Sequence, residues 1–204
     1  EETLLPYYAA EYYGASRQKF VGPVARFVGY FQESRARLTA KHLKGGSRLL
    51  DVGCGNGGYL EQMKWRGFNV EGTELTPESA ARAQGDQEFP VHVGDLLELD
   101  LPENQYDAVS LWHVFEHLQD PASTLQKIGE LLKPGGRVFL AMPNQESWQA
   151  RAFGRHWFHL DPPRHLHAFG PRSLGRLLRT KGFRVEFLST WSFEQNPFGI
   201  VQSI

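Results

Sequence analysis

The chain has 204 residues, 41% hydrophobic and 22% charged, an ordinary globular composition with enough length for one full core. Lys and Arg number 22 against 23 Asp and Glu, a formal charge of -1, so no global field draws the protein to nucleic acid or to anionic lipid. The single cysteine, Cys54, excludes an intrachain disulfide and a cysteine-based zinc site and fits a reducing, cytoplasmic setting, and no apolar run approaches the ~20 residues of a membrane span.

Residues 1–14 are rich in tyrosine (Tyr7, Tyr8, Tyr12, Tyr13), and apolar residues then recur at Phe20, Val24, Phe27, Val28, Phe31 and Leu38, a helical spacing with one buried stripe. Pro23 is expected to divide a short first helix from a longer second one, and Lys44-Gly45-Gly46 to close the segment. We read 1–44 as a helical cap and 45–204 as the main domain.

From there strand and helix patterns alternate. Arg48 to Val52 reads as a strand, Gly58 to Trp65 as a helix ended by Gly67, and Phe68 to Leu75 as a strand. Thr76 caps the next helix with Pro77 at its first position, and that helix stops near Gly85. Val91 to Val93 and Tyr106 to Trp112 read as strands, and a helix from Asp120-Pro121 to Leu132 is stopped by Lys133-Pro134-Gly135-Gly136 before a strand over Val138 to Met142. Such alternation predicts an α/β fold with a doubly wound, mostly parallel sheet that binds ligands beyond the carboxyl ends of its strands. Residues 145–170 break the rhythm with aromatics and four histidines and are read as a lid insertion. A helix over Pro171 to Lys181 and a strand over Phe183 to Leu188 follow; no convincing last strand is found, and we expect the native chain to continue past Ile204.

The most informative stretch joins the first strand to its helix, Asp51-Val-Gly-Cys-Gly-Asn-Gly-Gly58, with four glycines within six residues. Glycine tolerates positive φ and has no Cβ, so a ligand can lie on backbone N–H groups at the start of the helix. Gly53-x-Gly55-x-x-Gly58 fits a dinucleotide fingerprint, with Glu74 placed to bind a ribose. The same residues also read as an acid two positions before Gly53-x-Gly55-x-Gly57, a pattern suited to S-adenosylmethionine, whose ammonium group Asp51 would stabilise directly or through water.

Leu49-Leu-Asp-Val-Gly-Cys-Gly-Asn-Gly57, Gly72-Thr-Glu-Leu75, Gly94-Asp-Leu96, Tyr106-Asp-Ala-Val-Ser-Leu-Trp-His-Val-Phe-Glu-His117 and Leu131-Leu-Lys-Pro-Gly-Gly136 resemble, in order, the motifs of class I S-adenosylmethionine-dependent methyltransferases. The segment after them is similar to a small-molecule subgroup of the quinone-biosynthesis type. The resemblance implies a Rossmann-like fold and a reaction that yields S-adenosylhomocysteine. It implies that Asp51, Gly53, Cys54, Gly55 and Gly57 frame the methionine part of the cofactor, that Glu74 and Leu75 meet the ribose side, that Asp95 and Leu96 meet the adenine, and that Trp112 and His113 lie by the methyl group. An NAD-dependent oxidoreductase shares only the glycine turn and Glu74; a non-catalytic cofactor-binding module is the other alternative.

His113-x-x-Glu116-His117 matches an inverted zinc-protease motif, but that motif needs one helix carrying both ligands, and here His113 ends a predicted strand with Pro121 close behind. In the quinone-biosynthesis and small-RNA relatives of the resemblance, a Glu-x-x-Glu-His segment binds a divalent metal; His113 replaces the first glutamate, which argues against a magnesium-type site because hard cations prefer oxygen. We therefore expect no metal, and read His113 and His117 as candidate catalytic bases toward the acceptor. The irregular spacing of His156, His159, His165 and His167 also argues against a metal cluster, and favours a lid with an aromatic acceptor pocket. Arg172, Arg176, Arg179, Lys181 and Arg184 form a basic face, solvated or serving an anionic or lipid-like acceptor. The expected partner is a small molecule with an oxygen or nitrogen nucleophile, not a nucleic acid.

Overall fold

The computed structural model describes residues 23–85 and 87–190. The amino-terminal tyrosines, the short helix expected before Pro23 and the tail past Thr190 lie outside the described residues. Within them, residues 23–85, 87–112 and 130–140 form one compact unit, and residues 113–129 and 141–190 form another.

The first unit is built on a five-stranded sheet of β1 (Arg48–Val52), β2 (Asn69–Glu74), β3 (Val91–Val93), β4 (Tyr106–Trp112) and β5 (Leu132–Ala141), in the order β3-β2-β1-β4-β5. It is an all-parallel sheet flanked by helices, the class I Rossmann-like arrangement. β1 is its centre, with Asp51 opposite Gly72 of β2 and Ser110 of β4. Being covered on both faces, β1 is apolar apart from Arg48 at its start and Asp51: Leu49, Leu50 and Val52 are all buried. The helices α1 (Pro23–Ala40), α2 (Gly58–Trp65) and α3 (Pro77–Gln84) belong to this unit, and α2 and α3 pack on β2 and β3. Pro77 stands at the first position of α3, and the Thr76 hydroxyl accepts the Ser79 N–H, so the expected cap is present.

The core on this side joins Leu49, Leu60, Met63, Val70, Ala83 and Ala108. Of the helical stripe expected on α1, Phe31 is buried as expected but Leu38 is exposed, and Ala36 and Thr39 share the buried face. Ala36 belongs to the core cluster, and the Tyr59 hydroxyl of α2 donates to Thr39 Oγ1 at 2.9 Å, so small and hydroxyl residues face α2. Apolar periodicity found Phe31 but missed Ala36 and Thr39, which are not large hydrophobes.

Two further expectations are corrected. The strand expected over Val138 to Met142 runs from Leu132, directly after α4 (Pro121–Leu131), because the positive φ of Gly135 is accommodated inside the extended segment. Phe183 to Leu188 forms no strand, and Phe187 is 71% exposed. An apolar alternation becomes a strand only when a sheet edge accepts its hydrogen bonds, and among the described residues none does.

In the second unit, residues 145–170 are a succession of short helical turns: α5 (Trp148–Phe153), 3-10 turns at Gly154–His156 and Phe158–Leu160, then α6 (Pro171–Thr180). Another 3-10 turn, Phe115–His117, lies against this stretch, since the N–H groups of Leu166 and His167 both donate to the Glu116 carbonyl, at 2.9 and 3.1 Å.

Candidate functional site

The strand order reverses between β1 and β4, so the ligand crevice expected of such a sheet lies beyond the carboxyl ends of these two strands. β1 ends in Gly53, Gly55 and Gly57, at φ 66, 64 and 74. Gly57 has no substitute: an added Cβ would stand 2.1 Å from the Ala83 carbonyl oxygen, and the left-handed backbone is itself strained for any other residue. At Gly55 an added Cβ would meet nothing within 4 Å, so the outer side of the turn is open to a ligand.

Cys54 faces the other way. It is buried, and a Cβ on Gly72 would lie 2.6 Å from its Sγ, so the small residue on β2 makes room for the thiol. Burial pushes that thiol upward, which keeps it protonated and inert.

Asp51 is only 3% exposed, and the Ser110 hydroxyl donates to its Oδ1 at 2.6 Å. Burial raises its carboxyl to about 7 despite that hydrogen bond and the nearby Arg35 guanidinium. Glu74 accepts the N–H of Gly55 with its Oε1 and is likewise held above the usual carboxylate range, chiefly by burial. A nearby cation would oppose the effect of burial on both carboxyls and favour their ionised forms. Leu75 beside Glu74 is 51% exposed; Asp95 accepts the Leu97 N–H with its side chain, and Leu96 is buried.

Trp112, at the end of β4, packs edge-on against Tyr59 and keeps a buried indole N–H without a hydrogen-bond partner among the described residues. Sequence reasoning missed what α1 brings here. Gln32 donates to Asn56 in the glycine turn at 2.9 Å, and the Arg35 guanidinium lies 5.2 Å from the Trp112 ring centre. The available signal was polar: Phe31, Arg35 and Thr39 stand four residues apart on one face. A separate hollow of about 280 Å³ borders Lys64, Phe68, Glu71 and Pro90; Glu71 there is occupied by Arg48, His92 and Tyr106 in a structural network.

The second unit carries the histidines. His113 follows β4 at φ 59, an uncommon conformation for a non-glycine residue, and its N–H donates to Ala141 at 2.8 Å. Its Nδ1 lies 3.6 Å from Oε1 of Glu116, which is 3% exposed. Burial works to raise the Glu116 carboxyl, but the neighbouring His113 outweighs it and the net position is below the ordinary range. His117 is shifted down by burial, which favours the neutral ring.

His165, which the sequence reading kept apart from this motif, packs edge-on against His117 with ring centres 4.6 Å apart. One ligand atom each from Glu116, His117 and His165 lie within 4.8 Å of one another. Two imidazole nitrogens and one carboxylate oxygen do not fit a magnesium-type ion, which takes oxygen ligands in a near-ideal octahedron. His159 is half-buried and pushed down to about 4 by burial and the nearby His113 and His165, and His156 stands apart as an exposed residue.

Residues 24–187 match the family described as "Methyltransferase domain". The chain belongs to that family. It is 30% identical over 171 residues to the ubiquinone biosynthesis O-methyltransferase of Chromobacterium violaceum, covering 78% of this chain and 73% of that one. It is 31% identical to the enzyme of the same name from Pseudomonas entomophila, over 69% of this chain and 66% of that one. A solved S-adenosylmethionine-dependent methyltransferase from Archaeoglobus fulgidus superposes with a TM-score of 0.64 at 25% identity, over 85% of this chain and 86% of the other. The protein is thus an S-adenosylmethionine-dependent methyltransferase, and the hydride-transfer alternative falls. The first unit offers a glycine turn with an open outer side and, at its base, the buried Asp51 carboxyl, at the end of the sheet where such folds take their ligands. No helix among the described residues of this methyltransferase is long and apolar enough to cross a membrane.

Proposed function

We propose that this methyltransferase methylates an oxygen nucleophile of a small aromatic molecule, with His113 as the base that takes the acceptor's proton. The observation that carries the reading is the contact between His113 Nδ1 and the buried carboxylate of Glu116, 3.6 Å, in a chain similar to O-methyltransferases. A hydroxyl is a poor nucleophile until its proton leaves, and an imidazole backed by a carboxylate is suited to accept that proton.

Bound S-adenosylmethionine supplies a methyl group already activated on a sulfonium. The chain's own residues are left with holding, orienting and excluding water. In this reading Gly53, Gly55 and Gly57 admit the cofactor to the backbone, Asp51 and Arg35 set the charge near its amino-acid end, and Glu74 takes the ribose hydroxyls. Asp95, Leu96 and Leu75 border the adenine, and the Trp112 ring bounds the reacting end. In the second unit the exposed rings of Trp148 and Phe158 support an aromatic acceptor, and exposed Arg172, Arg176 and Arg179 support one that is anionic or carries a lipid-like tail. The single cysteine supports a cytoplasmic setting.

The test is an acceptor screen. Hydroxylated aromatic acids, with and without a prenyl tail, are incubated with protein and S-adenosylmethionine and the products read by mass spectrometry. O-methylated product that His113→Ala abolishes while S-adenosylhomocysteine binding persists is the expected result. Methylation of amines alone would overturn the oxygen assignment.

A further inference from the structure

The loop over 154–160 is fastened through its backbone. The Trp157 N–H donates to the Gly154 carbonyl at 3.1 Å, the Trp157 carbonyl accepts the Leu160 N–H at 2.9 Å, and the His159 carbonyl accepts from His165 Nδ1 at 2.8 Å. Two side-chain groups of the same loop are not answered in this way. Trp157 is only 6% exposed, yet its indole N–H has no hydrogen-bond partner among the described residues, and the same holds for the buried Nε2 of His159. The two rings meet edge-on with centres 5.5 Å apart. Packing alone would be served as well by phenylalanine, which has no N–H to satisfy. A buried polar group left unpaired costs more than an ordinary hydrogen bond returns, so two of them side by side in a fixed loop mark a place for an oxygen atom.

We infer that the Trp157 indole N–H and the His159 imidazole are specificity residues for the methyl acceptor, holding an uncharged carbonyl oxygen carried by the aromatic molecule. An indole N–H only donates, so its partner must be an acceptor atom, and a carbonyl oxygen has a second lone pair for an Nε2–H of His159. Charge decides between a carbonyl and a carboxylate. Burial and the neighbouring His113 and His165 hold His159 in its neutral form, so no imidazolium stands ready to pair with an anion. The Glu116 carboxylate acts on the same ring and would repel a second carboxylate, and the Arg164 guanidinium is engaged by Asp161 at 2.6 Å. An uncharged oxygen meets none of these objections. His113 acts on His159 more strongly than His165 does, which sets the pair in the neighbourhood of the proposed base. All of these residues belong to one unit. The inference rests on the reading of the acceptor as an aromatic molecule and adds the group by which it is recognised.

The experiment uses the full chain saturated with S-adenosylhomocysteine and three probes of similar shape, hydroxyacetophenone, ethylphenol and hydroxybenzoate, each as its ortho, meta and para isomers. Affinity is read by calorimetry. Proton–nitrogen correlation spectra follow the indole N–H signals of the five tryptophans, that of Trp157 being the one lost in Trp157→Phe. For at least one isomer, the ketone should bind about tenfold or more tightly than the matching ethylphenol and hydroxybenzoate, and should move the Trp157 N–H proton downfield. Trp157→Phe should erase the ketone's advantage while keeping the ethylphenol affinity and the thermal shift with S-adenosylhomocysteine; a merely structural role would weaken both probes alike. His159→Phe should lower the advantage severalfold. Where a variant fails to fold, the comparison of the three probes on the unaltered protein decides. Equal binding of ketone and ethylphenol with the Trp157 signal unmoved, or a preference for hydroxybenzoate, overturns the inference alone. If none of the probes binds, it falls together with the aromatic reading of the acceptor. Methylation of amines alone in the acceptor screen, with the ketone preference intact, would remove the oxygen assignment and leave this inference standing.

Discussion

In the first unit the groups that matter are carboxyls mounted on strands; in the second they are imidazoles mounted on turns. Asp51 and Glu74 sit on β1 and β2, where parallel pairing sets Asp51 opposite Gly72 and Glu74 opposite Val93, and burial raises both carboxyls above their ordinary values. Glu116, His113, His117 and His165 depend on backbone carbonyls and a single 3-10 turn, and their histidines are driven by burial toward the neutral ring where a shift is found. The difference teaches which chemistry each unit can do. Strand-mounted acids raised by burial gain from a nearby cation, while turn-mounted imidazoles offer lone pairs to a proton.

This contrast can be broken by substitution. The largest expected effect is His113→Ala, which should lower kcat by about 10²–10⁴ if the imidazole is the base, with little change in S-adenosylhomocysteine affinity by calorimetry. A parallel fall in both would return His113 to the role of a packing residue. Next comes Gly57→Ala in the first unit. With φ at 74 and the new Cβ 2.1 Å from the Ala83 carbonyl oxygen, it should cost about 3 kcal/mol in urea unfolding and weaken cofactor binding as well.

Glu71→Gln should cost about 2 kcal/mol at pH 7, because its carboxylate accepts from Arg48 at 2.6 Å and from His92 and Tyr106 at 3.0 Å. Burial works to raise this carboxyl, but the three donors hold it below its ordinary value. A lowered folded value means that the stabilisation is fully present above the unfolded value of about 4.3 and is lost as pH falls through the folded one. The variant's denaturation midpoint should therefore approach the wild type's only under acid conditions. The smallest effect concerns Asp51. With its carboxyl raised to about 7 in the free protein, a cationic ligand favours the ionised form, so S-adenosylhomocysteine affinity should rise about tenfold between pH 6 and pH 8 with proton release on binding. Asp51→Asn should flatten that profile; a profile unchanged in the variant would separate Asp51 from the ligand.

Legibility differed between the units for the same reason that their chemistry does. The boundaries of β1, β3, β4 and α2 were readable to the residue, because each carries its own local signal: apolar runs, a glycine turn, a capping position. The strand expected after Phe183 failed since its alternation had no partner to pair with, and part of the buried face of α1 was missed since Ala36 and Thr39 are not large apolar residues. Among the candidate site residues, Asp51 and Glu74 were named from the glycine turn and a strand end and Trp112 from the family resemblance, whereas Arg35 and Ser110 entered only through packing.

The amino-acid sequence alone determined the alternating fold, the glycine turn and the acids flanking it, because strand ends and positive-φ turns are specified by neighbours along the chain. That Cys54 faces Gly72, that Asp51 is sealed with Ser110, and that His165 meets Glu116 and His117 across 48 residues was decided by tertiary structure. Those contacts join positions whose spacing carries no period: parallel strand register brings Asp51 beside Gly72 and Ser110, and hydrogen bonds to the Arg164, His159 and Glu116 carbonyls hold the histidine loop on its turn.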